Sequence, residues 1–89
     1  MRKTDVATRT DMAKSLERAR KIHWNWGVKH FKNDPDMWQV VEGDDKDLGD
    51  IAQLIREGRI TAAKMKVRRM DTFARDQIPG KVFSWLINR

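Results

Sequence analysis

Apolar residues recur in this chain at helical spacing for most of its length. Met12, Leu16, Ala19, His23 and Trp26 follow one another at steps of four, three, four and three, the period of one helix face. Trp24, Val28 and Phe31 add a second stripe further along. Thr8-Arg9-Thr10-Asp11 has the form of a capping box ahead of this run. The pattern predicts a helix over about 9–32, with residues 1–7 frayed. Ile22, Trp24, Trp26 and Val28 also alternate with period two, and Val40 and Val41 favour strands. A β-hairpin over 22–42 turning at Asn33-Asp34-Pro35-Asp36 is therefore the competing reading.

In the helical reading, Asp34 caps and Pro35 opens the next element, because proline at the first helical position loses no needed donor. A short helix from Pro35 to Glu42 would stop at Gly43. An acidic loop over 44–47 would follow, with Asp47 capping a helix that carries Leu48, Ile51, Ala52 and Ile55 and ends at Gly58. Thr61 is expected to cap a fourth helix with Ala63, Val67, Met70 and Ala74 inward, interrupted near Asp71-Thr72. Ile78-Pro79-Gly80 is a stop, and a tail helix over about 80–88 carries Val82, Phe83, Trp85, Leu86 and Ile87. The fold expected is all-α, a small bundle of four or five short helices forming one compact domain over 8–89. An α+β fold with the 22–42 hairpin is the alternative.

Length supports this reading. A chain of 89 residues makes one small domain, and four Trp, three Phe and five Met are enough for one core. Cysteine is absent, so disulfides and thiolate metal sites are excluded. No apolar run is long enough for a signal peptide or a membrane span, so a cytoplasmic location, in the source cell or a host cell, is expected and no membrane partner.

Charge changes the picture most, because it is sorted by segment. Residues 1–33 carry nine Lys/Arg against three acids, 34–50 carry one against seven, and 51–89 again nine against three. The net +6 and a pI near 10.1 favour nucleic acid or an acidic protein surface as partner. On an unbroken helix, Lys64, Arg68 and Arg75 fall in one stripe beside the apolar line. Arg59 lies at its start, and Lys66 and Arg69 flank the other side. Such a stripe can follow phosphates, each cation releasing a counterion. The stretch Lys21, His23, Trp24, Trp26, Lys29, His30, Phe31 and Lys32 interleaves bases with rings, a composition on which unpaired nucleobases stack. Core packing with Lys side chains reaching outward is the plainer account of it. The acidic segment reads as helix caps or as internal counter-charge.

Other chemistry finds little footing. His23 and His30 lack a third ligand, and counting an EF-hand from Asp45 places Asp50 and Arg56 where Gly and Glu are required. Ser15 and Ser84 sit in no nucleophile motif. The expectation is a non-enzymatic binding protein without cofactor or metal. It would be nucleic-acid-associated through the 59–75 face, helped by Lys21, Lys29 and Lys32. A protein-binding adaptor or inhibitor of the kind carried by phages and mobile elements is the rival. Val82, Trp85 and Leu86 are expected to form core or homodimer contacts.

Overall fold

The computed structural model describes residues 3–89, and these form five helices and no strand. They are α1 (Lys3–Phe31), α2 (Pro35–Arg56), α3 (Ile60–Arg69), α4 (Thr72–Arg75) and α5 (Gly80–Ile87). The all-α bundle is the fold, and the hairpin alternative falls away. Residues 22–42 are the end of α1, a tight turn and the start of α2. The turn explains why. Asp34 is extended (φ −113°, ψ 97°), its carboxylate accepts the Met37 amide at 3.2 Å, and Pro35 follows as the first helical residue. Trp24 and Trp38 then meet edge to face across the two helices at 4.9 Å, while Ile22 and Val28 of the alternating set stay exposed.

Two other expectations change at the N-terminal side. The Thr8–Asp11 capping box lies inside α1, which is already helical from Lys3. The frayed start expected for 1–7 falls in part on residues 1 and 2, outside the described residues.

The largest correction concerns 43–47. Gly43 does not stop a helix, Asp44–Asp47 is not a loop, and Asp47 caps nothing: α2 runs unbroken for 22 residues. A mid-helix glycine costs only about 1 kcal/mol. Against that stands the burial of Val41, Asp44, Leu48, Ile51, Ala52 and Ile55 at helical spacing along one face. Full burial of each large aliphatic side chain among them contributes about 1.5–3 kcal/mol. Asp45 and Asp47 remain in the helix with cations beside them, Arg20 and Lys66, as described below.

The α1–α2 pair is antiparallel and forms the long axis of a molecule measuring 47 × 21 × 19 Å. Gly27 faces Val41 so closely that a Cβ on it would lie 2.5 Å from Val41 Cγ1. The glycine that weakens α1 locally is what lets the helices approach.

At its far end, α2 closes with a left-handed Gly58 (φ 75°). The Gly58 amide donates to the Ile55 carbonyl at 3.0 Å and the Arg59 amide to Leu54 at 2.9 Å, the paired bonds of a Schellman turn. Thr61 is not the cap of α3. Arg59 holds that position and makes no side-chain capping bond. The expected interruption at Asp71-Thr72 is present, since Asp71 caps α4 by accepting the Ala74 amide at 2.8 Å.

Ala63, Val67, Met70 and Ala74 are all buried, as the apolar line required, and join Leu16, Leu48, Ile51, Ile55 and Ile78 in one core. Val82 and Leu86 of α5 complete that core, and Trp85 packs partly buried against it. Lys81 ties α5 to α1 through Asp11 at 3.4 Å. No helix among the described residues is long and apolar enough to cross a membrane.

Candidate functional site

The break at Asp71 removes the premise of one continuous stripe from Lys64 to Arg75, because Arg75 sits on a separate helix. The chain nevertheless folds back so that Lys64, Arg68 and Arg75 rim a single groove of about 270 Å³. Val67, Phe83, Leu86 and Ile87 supply its apolar lining. Two of these cations are already engaged. Lys64 Nζ donates to the Arg89 backbone oxygen at 3.0 Å, and Arg75 donates to the Met70 carbonyl at 2.8 Å. Arg68 is exposed and makes no ion pair among the described residues.

The other cations of the basic helix lie elsewhere. Arg59, Lys66 and Arg69 line a second hollow together with Asp47, Leu54 and Met65. Lys66 bridges Asp47 at 3.0 Å and Asp50 at 3.6 Å, and Arg59 lies 3.7 Å from Glu57. The hydrogen bond that Lys66 donates to Asp47 dominates in raising the Lys66 pKa above its ordinary value. Acids of α2 therefore neutralise part of α3 from below.

They do the same for the inner side of α1. Arg20 holds Asp45 with two parallel bonds, Nε to Oδ1 at 2.9 Å and a terminal nitrogen to Oδ2 at 3.1 Å. Arg56 of α2 reaches Glu17 at 3.3 Å. Three acids of the block, Asp45, Asp47 and Asp50, are thus counter-charge built into the bundle.

The outer side of α1 has no such partner. Lys14, Arg18, Lys21, Asn25, Lys29 and Lys32 follow at steps of four, three, four, four and three, and all six are exposed. At 100° per residue the five that lie in α1 occupy an arc of about 80° and a length of about 22 Å, and Lys32 follows in the turn. Buried Ala13, Leu16, His23 and Gly27 lie on the opposite side of the helix. Among the described residues none of the five cations pairs with an acid. Arg18 donates only to Ser15 Oγ, at 3.3 Å. Glu17 is turned to Arg20 and Arg56, and Asp11 to Lys81. Three of these cations, Lys21, Lys29 and Lys32, were expected to assist binding. Lys14 and Arg18 complete the row, and their spacing was the signal that could have added them.

The aromatic stretch divides in two. Trp24 turns to α2. Trp26, 37% exposed, turns to α4, where Phe73 is 43% exposed, and their ring centres lie 6.0 Å apart at 41°. Ile22, 71% exposed, stands beside them. With His23 and Gln77 these side chains line a hollow of about 310 Å³. Phe31 and His30 extend the ring cluster, at 5.1 and 5.6 Å from Trp26.

Beneath that hollow lies a buried polar pair. His23 is 3% and Asp44 4% exposed, with Nε2 and Oδ2 3.6 Å apart and neither atom hydrogen-bonded. Burial is the main cause of both shifts. It lowers the His23 pKa, against the attraction of Asp45 and a bond to Gln77, and raises Asp44 to about 6, with Asp71 and Asp47 adding to the rise. His23 and Asp44 each take an apolar slot of the α1–α2 seam, which is why the sequence pattern hid the second of them.

The two histidines do not converge on one site, since His23 is buried and His30 exposed. The described residues contain no cluster of three groups able to hold a metal ion. Ser15 is buried and donates to the Asp11 carbonyl at 3.1 Å. Comparison of the chain with protein-family models, with curated protein sequences and with solved structures found no match.

Proposed function

We propose that this chain is a cytoplasmic, non-enzymatic nucleic-acid-binding protein that holds the phosphate backbone along the outer face of α1. One observation carries the reading: Lys14, Arg18, Lys21, Lys29 and Lys32 stand in an exposed row that pairs with no acid among the described residues, while Asp45, Asp47 and Asp50 of α2 are engaged by Arg20 and Lys66. A row of this kind suits a phosphate chain, because each contact releases a condensed counterion. Arg68, with Lys64 and Arg75 beside it, offers a second and smaller contact at the α3–α5 groove.

The rival reading, a protein-binding adaptor or inhibitor, is favoured by the exposed Ile22, Trp26 and Phe73, since apolar patches with aromatic rings mark protein contacts. Affinity for short DNA and RNA, measured from low to physiological salt, separates the two. The nucleic-acid reading expects binding that falls steeply as salt rises. Absence of binding at low salt, or affinity indifferent to salt, would overturn it.

A further inference from the structure

We propose that the nucleic acid bound is single-stranded, and that one unpaired base stacks on the exposed side of the Trp26–Phe73 ring pair, where α1 meets α4. The inference rests on the nucleic-acid reading above and adds the state of the strand.

Three observations lead to it. The first is ring exposure. Phe73 stays 43% exposed although its neighbour Ala74 is the buried anchor of α4, so the fold does not need that ring for its core. The second is convergence. Trp26 and Phe73 come from helices far apart in sequence and meet at 6.0 Å, with Ile22 at the rim and the polar His23 and Gln77 among the lining. His23 is itself stacked on Trp26 (5.5 Å, 26°), so the surface offered is the outer side of the Trp26–Phe73 pair with the Ile22 edge and the Gln77 amide, which suits a flat heteroaromatic group that is apolar on its face and polar at its edges. The third is charge complementarity. Lys29 lies one helical turn beyond Trp26 on the side of the phosphate row, and Arg18 lies one turn before Ile22. Residues three or four apart on a helix are surface neighbours. A strand whose phosphates follow the row therefore presents its bases toward the hollow. In a duplex those bases are stacked on one another and cannot enter. Single-strand binders combine these two parts, a basic track and rings beside it.

The test uses the full chain, a fluorescent oligothymidine, the corresponding duplex and inorganic polyphosphate as probes. The single strand should bind more tightly than the duplex. Phe73→Ala should weaken oligothymidine binding by about tenfold or more, the range expected for one lost stack. It should leave polyphosphate affinity unchanged, and Phe73→Tyr should restore the loss. Oligothymidine should also quench tryptophan emission, and Trp26→Phe should remove most of that quenching, a readout that does not depend on Phe73→Ala being well folded. Equal loss toward oligothymidine and polyphosphate, or duplex preferred to single strand, would overturn the inference. Unchanged oligothymidine affinity in Phe73→Ala, with binding lost when Lys14, Lys21 and Lys29 are reversed to Glu, would overturn the stack while leaving the phosphate row standing. If the parent chain binds no nucleic acid at low salt, both fall.

Discussion

The outer face of α1 and the basic helix α3 carry the same sign of charge and meet different surroundings. On α3, Lys66 is clasped by Asp47 and Asp50, and Arg59 lies near Glu57; Lys64 is held from the adjoining groove by the Arg89 oxygen. On the outer side of α1 and the turn after it, five cations face solvent and none is ion-paired among the described residues, the nearby Glu17 being held by Arg20 and Arg56. The difference comes from α2, which lies between them and reaches α3 with one part of its surface and the inner side of α1 with another. A count of charges along the sequence ranks the two helices equally. What ranks them for a partner is the charge left over after the chain has paired its own.

The sharpest way to break this comparison is to reverse charge on each helix separately. Lys14→Glu with Lys21→Glu and Lys29→Glu should weaken nucleic-acid binding by about a thousandfold at low salt and flatten its salt dependence. Arg68→Glu with Arg69→Glu should cost less than about tenfold. Equal losses in an affinity titration would show that the two faces act alike.

The inner side of α1 is tested through Asp44. Its folded pKa of about 6 lies above the ordinary 3.8, so its favourable contribution is complete below 3.8 and disappears as pH rises through 6. His23 acts in the opposite sense, because its folded value lies below 6.5: its contribution is complete above 6.5 and is lost as pH falls. Asp44→Asn should therefore exceed the parent in stability by up to about 3 kcal/mol at pH 8, with the gap closing toward pH 4. Urea unfolding at several pH values reads this directly. A gap that widens on acidification would refute the assignment.

Gly27 examines how firmly that inner side is committed. An added methyl would press on Val41, whose β-branched side chain has little rotamer freedom. Overpacking of this kind costs about 1–3 kcal/mol, and the helix-propensity gain of alanine offsets roughly 1 of it. Gly27→Ala should thus melt below the parent, and adding Val41→Ala should recover part of the loss. The smallest effect belongs to α3. Lys66→Met, which dissolves partly exposed bridges, should change stability by at most about 1 kcal/mol and nucleic-acid affinity by less than about twofold.

Much of the fold was legible where local chemistry decides it. The Asp34-Pro35 start, the Gly58 stop and the Asp71 interruption each rest on one or two residues and their own backbone, and each is present. Gly43 through Asp47 was not legible, because its helicity depends on partners distant in sequence: Arg20 for Asp45, Lys66 for Asp47, and the α1 surface under Val41 and Asp44. The candidate site divides the same way. The spacing of Lys14, Arg18, Lys21, Lys29 and Lys32 stands in the sequence. The meeting of Trp26 with Phe73 does not, since it needs α4 to fold back across the end of the seam.

The seam between α1 and α2 also sets an order of assembly. Gly27 with Val41, His23 with Asp44, Arg20 with Asp45 and Glu17 with Arg56 lie one outside another around the Asn33-Asp34 turn. The last two close spans of 25 and 39 residues. Since each doubling of a loop adds only about 0.6 kcal/mol of closure entropy, each pair brings the next within easy reach, and the two helices can zip outward from the turn. Both strands of that zipper are complete once Arg56 has been synthesised. The first basic block thus finds its counter-charges without any residue beyond Arg56.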